Sequence, residues 1–381
     1  MGSEMCIRDS NWFGNLVTCA TASDMWLNEG FASYCVALYI EVTKGRKSYL
    51  DYIRHLHRNV LLFTHLRDEG YFAVSNVPPS LTYGSTVYDK GADMIHNLRS
   101  YLGERLFFES LQAYLGTFAF ANASTDDFEK FLSAFTHKPL NDFFNTWINT
   151  SGFPHFQVQL DSVTPDNNNY LCYIHLSQQR VGREDLSYHV PLEISLMDTL
   201  GNEEKHTVFL SGETEAISLY SKIKPVLIML DKNEKINDAT ISQYRILPAP
   251  GEYEFNDCSF NLNVTDISDS VFFRVVYHAI RPDSTTIPVG IHLPENFYWS
   301  VEGIFLPDFL AGGTFSYNID TPSERHGTVT PAKKDKRIIL LYKPLYTGQW
   351  KEIPATIGGD SQKVNISVSQ ILPGHYYVAE K

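Results

Sequence analysis

The hydrophobic pattern changes period once, at Gly152-Phe153-Pro154, and that change constrains the fold more than any other feature of the chain. Before it, apolar residues recur at helical spacing. Tyr49, Leu50, Ile53, Leu56, Val60 and Leu61 give one face to a helix over about Lys47–Phe63. Gly45 separates it from a first helix through Met25–Ile40, for which Ser23 and Asp24 are the N-cap candidates. Pro78-Pro79 keeps Phe72–Thr82 a loop. Further helices are predicted at about Thr86–Leu102, closed by Gly103, and at Glu104–Gly116. Ser124, with Asp126 and Asp127 behind it, opens Phe128–Phe135, and Leu140–Ile148 is the last helix.

After Phe156 the chain alternates with period two. Short strands are predicted at Phe156–Leu160, Tyr170–Leu176, Leu192–Leu196, His206–Leu210 and Val226–Leu230, the pattern of a small antiparallel β-sandwich. Beyond Pro248-Ala249-Pro250-Gly251, candidates are Tyr253–Val264, Val271–Ala279, Phe297–Ile304, Gly313–Ile319, Arg337–Tyr342, Lys363–Val368 and His375–Val378. The fold class is therefore multidomain α plus β. A helical block at 11–153 precedes a β-sandwich at 154–235 and a β-rich extension at 236–381, for which an immunoglobulin-like form is open.

Composition narrows the function classes. Hydrophobic residues at 43% and charged residues at 20% describe globular cores, and 381 residues suffice for two or three of them. The formal charge of −13 argues against nucleic acid as a partner, because phosphate binding needs a basic surface. No apolar run reaches the roughly 18–20 residues of a transmembrane segment. Cys6, Cys19, Cys35, Cys172 and Cys258 are scattered, without a disulfide framework or CxxC pair. His55, His57 and His65 lie at spacings that share no helix face as ligands must, and read as structural or surface residues.

The chemistry-bearing stretch is Asn11 to Ala32, with Trp26-Leu27-Asn28-Glu29-Gly30 at its centre. A glutamate among apolar helix residues is either a core-edge carboxylate or a metal ligand. The whole string decides. Asn11-Trp12-Phe13-Gly14-Asn15 followed by Trp26–Gly30 resembles the aminopeptidase-N-like zinc metallopeptidases, the gluzincins of the membrane alanyl aminopeptidase family. Val87-Tyr88-Asp89-Lys90-Gly91-Ala92 resembles the same family's YxKGA segment, and Trp147–Pro154 resembles its passage into a β-sandwich.

The resemblance implies the helical C-terminal half of a thermolysin-like catalytic domain, a single zinc ion, and hydrolysis of N-terminal residues from peptide substrates through a zinc-activated water. It implies that Glu29 is the third zinc ligand, and that Tyr88 is the catalytic tyrosine whose phenol meets the oxyanion. Tyr83 is a weaker competitor, and Lys90 reads as structural. Asp24 is either a carboxylate behind the zinc site, orienting a ligand histidine, or a plain helix cap.

In the family an HExxH motif directly precedes NWFGN, and the ligand glutamate follows its second histidine by nineteen residues. Counting back from Glu29 reaches position 10, which is Ser10, and the window reads Cys6-Ile7-Arg8-Asp9-Ser10. Both histidines and the general-base glutamate are absent while the match resumes at Asn11. Met1–Ser10 therefore reads as a foreign leader on a sequence truncated just after HExxH, and the chain as written is expected to bind no zinc stably and to be inactive. The family's GxMEN-type segment is also absent. Two rivals stand beside the peptidase reading. One is a non-catalytic pseudoenzyme, and the other is a β-sandwich adhesion or carbohydrate-binding module within 236–381. The β extension favours a secreted or cell-envelope location, and oligomeric state is not legible.

Overall fold

The computed structural model describes residues 11–282, 288, 290–291, 293, 296–318, 337–346, 348–360 and 363–381. The foreign-leader expectation for Met1–Ser10, with Cys6, falls outside the described residues, as does Ile319 at the end of one predicted strand.

Helices α1 (Trp26–Lys44), α2 (Arg46–Asn59), α3 (Gly91–Leu102), α4 (Glu104–Thr117) and α5 (Thr125–Thr136) fill the first block. Gly45 (φ 86°) and Gly103 (φ 80°) hold the positive φ that turns α1 into α2 and α3 into α4. Ser124 caps α5 in a reciprocal box, taking the Asp127 N–H while the Asp127 carboxylate accepts the Ser124 N–H. The cap expected from Ser23 or Asp24 does not form. Met25 occupies the N-cap of α1 with helical dihedrals and no side-chain bond, because Asp24 is engaged elsewhere. Also unforeseen is a parallel pair, β1 (Val17–Cys19) with β2 (Ala121–Ala123), which ties the NWFGN segment to the entrance of α5.

The next strands are β3 (Phe153–Asp166), β4 (Asn169–Val181), β5 (Val190–Met197), β6 (Glu203–Leu210), β7 (Thr214–Ser221) and β8 (Leu227–Leu230). They form two antiparallel three-stranded sheets, β3-β4-β7 and β6-β5-β8. Cys172, Ile174 and Leu176 of β4 and Leu192, Ile194 and Leu196 of β5 are buried, as alternating inward positions require.

The remaining strands are β9 (Thr240–Leu247), β10 (Gly251–Phe255), β11 (Phe260–Asp266), β12 (Val271–His278), β13 (Tyr298–Ile304), β14 (Leu310–Asn318), β15 (Ile338–Lys343), β16 (Lys351–Ile353), β17 (Thr356–Gly359), β18 (Lys363–Val368) and β19 (Gly374–Glu380). They build a five-stranded sheet, β10-β11-β14-β18-β17, and a six-stranded one, β16-β15-β19-β13-β12-β9. Aromatic rings join the two sheets: Phe260 with Phe273 at 5.9 Å, Trp299 with Phe315 at 5.1 Å and Phe315 with Tyr376 at 4.9 Å. The single strand expected over Tyr253–Val264 is two, β10 and β11, split by a tight turn at Asn256–Cys258.

Buried polar bonds tie the helical block to the β-rich part of the chain. Arg54 on α2 forks onto Glu234 with two bonds of 2.7 Å. His57 bonds Asp93 at 2.8 Å and the Thr240 carbonyl at 3.0 Å. Burial disfavours the His57 imidazolium, but the Asp93 carboxylate outweighs it and the pKa is raised. The structural reading of His57 holds on these contacts.

Candidate functional site

The first turn of α1 carries Trp26, Asn28, Glu29 and Gly30, and each packs differently. Trp26 is buried against Phe128 of α5 and donates its indole N–H to the Thr125 hydroxyl at 3.0 Å. Asn28 accepts the Cys19 N–H at 3.0 Å, fixing β1 to α1. Gly30 is the contact point with α3. A Cβ placed there would lie 3.1 Å from Gly91 Cα and carbonyl carbon and 3.3 Å from the Val87 carbonyl oxygen. The two helices touch through backbone, which only glycine on both sides permits.

That crossing brings together the two segments singled out in the sequence. Glu29 precedes Gly30, and Tyr88 lies one turn before Gly91 in a π-turn, Thr86–Lys90. The turn is anchored by Asp68, whose carboxylate accepts the Ser85 N–H at 3.0 Å and the Thr86 N–H and hydroxyl at 2.6 Å each. Tyr88 is half-buried at the edge of the core, whereas Tyr83 is 68% exposed. Lys90 is spent on structure: its ammonium donates to the Phe72 and Gly152 carbonyls at 2.9 and 3.2 Å and sits over the Phe153 ring. Burial, with the Arg183 guanidinium nearby, pulls its pKa down to about 7.

Glu29 is half-exposed, and no hydrogen bond or ion pair to another described residue engages its carboxylate. Burial and the carboxylate of Asp24, with a smaller contribution from Glu29, push the Cys19 thiol up, so both acids lie within electrostatic reach of it. Asp24 is buried, and its oxygens accept the Thr125 N–H at 2.8 Å and the Thr21 hydroxyl at 2.7 Å. It therefore supports the entrance of α5 rather than touching Glu29 or Tyr88.

Zinc needs about three protein donors. Among the described residues no group of three or more His, Cys, Asp or Glu side chains is placed to hold a metal ion. The window before Asn11, outside the described residues, contains no histidine. Among the described residues, then, Glu29 is not joined by enough donors to fit the ion.

Residues 9–147 match the Peptidase family M1 domain. Probable aminopeptidase 2 of Sulfurisphaera tokodaii is 28% identical over 231 residues, covering 58% of this chain and 28% of that protein. Aminopeptidase M1-B of Oryza sativa subsp. japonica is 34% identical over 155 residues, 39% of this chain and 18% of that one. Human aminopeptidase N is 30% identical over 226 residues, 50% of this chain and 23% of that one. The crystal structure of Legionella pneumophila aminopeptidase A superposes with a TM-score of 0.47 at 20% identity, over 61% of this chain and 26% of that one. The similarity to M1 peptidases lies mainly in the helical block, and the chain spans less than a third of the length of these curated relatives.

Among the described residues no helix is long and apolar enough to cross a membrane. Sequence reasoning singled out Glu29 and Tyr88 but not what aligns them. The Gly30–Gly91 contact is silent in a linear reading, because each glycine separately looks like a helix weakness.

Proposed function

We propose that the helical block supplies two elements of a peptide-hydrolysing aminopeptidase site, Glu29 as the carboxylate of the zinc set and Tyr88 as the phenol that donates to the oxyanion. The observation that carries the reading is the backbone contact between Gly30 and Gly91, which holds the two motif segments side by side. The half-exposed, unengaged Glu29 carboxylate beside an engaged Asp24 supports the same assignment. On this reading Asp24 acts through α5 and the start of α1, as a positioning residue.

The chain as written, with Cys6–Ser10 in the place of HExxH, is inactive and serves as scaffold. On the same reading the chain divides into 11–153, 154–235 and 236–381, a division supported by the change from helices to the first and then the second pair of sheets.

The test is hydrolysis of aminoacyl-p-nitroanilides by two proteins. The chain as written should show no turnover above buffer. A gene reading HExxH directly before Asn11 and extended through the family's upstream segments should be active. In that background Tyr88→Phe should lower kcat by about 10²–10³ with KM little changed, the size of a lost oxyanion donor. Turnover by the unaltered chain, or unchanged kcat in Tyr88→Phe, would overturn the assignment.

A further inference from the structure

A cavity of about 250 Å³ lies between the six-stranded sheet, the smaller sandwich and α2, and neither Glu29 nor Tyr88 lines it. Its floor is one face of β9, β12, β13, β19 and β15, and strand register sets what that face presents. His278 stands between Thr240 and Tyr298, Val276 between Ser242 and Ser300, and Arg274 beside Glu302. His375 pairs with Ser300 across the next ladder. The opposite wall comes from Gln157 and Val158 of β3, His175 of β4 and Ile228 and Leu230 of β8.

A sheet face covered by another layer is ordinarily apolar. This one is polar in row after row, and Arg274, Ser300 and His278 on it are 4%, 1% and 7% exposed. Burying such groups is costly unless they find partners. Much of the requirement is met internally. His155 bonds His278 at 2.8 Å, His278 bonds the Ser300 hydroxyl at 2.8 Å, and that hydroxyl bonds His375 at 2.7 Å. Gln157 donates to the Tyr298 hydroxyl at 2.6 Å. One atom is left over: Arg274 Nε has no hydrogen-bond partner among the described residues, although it is itself closed off from the cavity that its residue lines.

The charges say what kind of molecule fits. Arg274 is paired with Glu302 at 2.8 Å and Arg54 with Glu234. Asp231 already accepts the Lys235 and Ile236 N–H groups, and Asp238 accepts the Phe156 N–H and the Thr240 hydroxyl. Burial holds His278 and His375 in their neutral forms. Lys343 at the rim is the lining cation without a carboxylate partner among the described residues. Beside Asp231, Asp238 and Lys343 the walls carry neutral groups that both donate and accept, among them Gln157, Gln159, His175 and Ser177, with the rings of Tyr346 and Trp350. Hydroxyl groups of a ligand, which also donate and accept, complement such a set, and the volume suits one small molecule or a handful of waters.

We propose that this cavity is a binding site for a small neutral polyhydroxylated ligand of monosaccharide size. The inference does not depend on the peptidase reading, since no wall of the cavity includes Glu29, Tyr88 or Asp24.

The experiment is saturation-transfer NMR and calorimetry on the whole chain with the methyl glycosides of glucose, galactose, mannose and N-acetylglucosamine, and with inorganic phosphate as the charged control. Val276→Phe fills the cavity from the middle of its floor without removing a polar group. Ser300→Ala breaks the hydrogen-bonded chain of histidines, and decides the matter if the first variant fails to fold. At least one glycoside should bind saturably, at millimolar Kd or tighter, and each folded variant should weaken it by about tenfold or more. Three results would overturn the proposal: no saturable binding of any of the glycosides to the folded chain, binding of phosphate alone, or glycoside binding unchanged in the folded variants.

Discussion

Replacing Gly30 with alanine sets two effects of known size against each other. In an exposed helix interior, Gly→Ala stabilises by about 0.8–1 kcal/mol through backbone entropy. At Gly30 the added Cβ would lie 3.1 Å from Gly91 Cα and carbonyl carbon, and carbon atoms pack best at about 3.5–4.0 Å. The neighbour is backbone of α3, so α1 and α3 must separate by several tenths of an ångström rather than rotate a side chain aside. Overpacking of this kind costs about 1–3 kcal/mol, so Gly30→Ala should destabilise by about 1 kcal/mol net despite the better helix former. Gly116 on α4 is the control, exposed and with nothing within 4 Å of its Cβ position; Gly116→Ala should stabilise by about 0.5–1 kcal/mol. Because Gly30 and Gly91 share one contact, the double alanine variant should depart from additivity. Urea unfolding followed by helical circular dichroism reads all five proteins: the unaltered chain, Gly30→Ala, Gly91→Ala, their double variant and Gly116→Ala. A midpoint that rises for Gly30→Ala as it does for Gly116→Ala would show that the helices do not meet through backbone, and the side-by-side placement of the two motif segments would fall.

Other contacts give sharp expectations. Asp24→Ala leaves the buried Thr125 N–H without its acceptor and should cost about 1–3 kcal/mol in the absence of any metal, measured by the same urea titration. Glu234→Gln removes the forked carboxylate from the largely buried Arg54 guanidinium, which keeps Asp51 at 2.9 Å and Asp257 at 4.0 Å, and should cost about 1–2 kcal/mol, less than a stranded buried charge; an unchanged midpoint would mean that the fork contributes nothing to holding α2. Burial, with Lys343 adding to it against an opposing bond from the Leu345 carbonyl, brings the His375 imidazole down to about 4. An unfolded histidine titrates near 6.5, so between those values the unfolded chain binds the proton and the folded chain does not. Stability from this group should therefore be lost as pH falls from about 6.5 to 4, by up to about 3 kcal/mol, and His375→Gln should flatten that part of the profile.

Local chemistry made part of this fold legible. The Ser124 box and the glycines at 45 and 103 act through neighbours in the chain, so the ends they set could be read residue by residue. Elements that depend on distant partners were not readable. β9 carries Thr240 and Ser242 on a buried face, so its inward positions look solvent-facing to a hydrophobicity pattern. β7 exposes most of its alternate positions and reads as a turn. The parallel β1–β2 pair joins residues about a hundred positions apart. At the candidate site, the residue types of Glu29 and Tyr88 were visible in their motifs, but the close approach that aligns them is a property of two glycines meeting across helices. His155, His278 and His375 each sit singly in a strand, and nothing in the linear sequence indicates that they share one hydrogen-bonded chain.

The most direct measurement is the zinc stoichiometry of the purified chain beside its Cys6→His/Ile7→Glu/Ser10→His variant, which writes HExxH into the register counted from Glu29. The account predicts no stoichiometric zinc in the chain as it stands and about one ion in the variant, since three ligands would then be available. Adding Glu29→Gln to the variant should weaken that binding by at least about tenfold. Stoichiometric zinc in the unaltered chain, or zinc in the variant that is indifferent to Glu29→Gln, would contradict it.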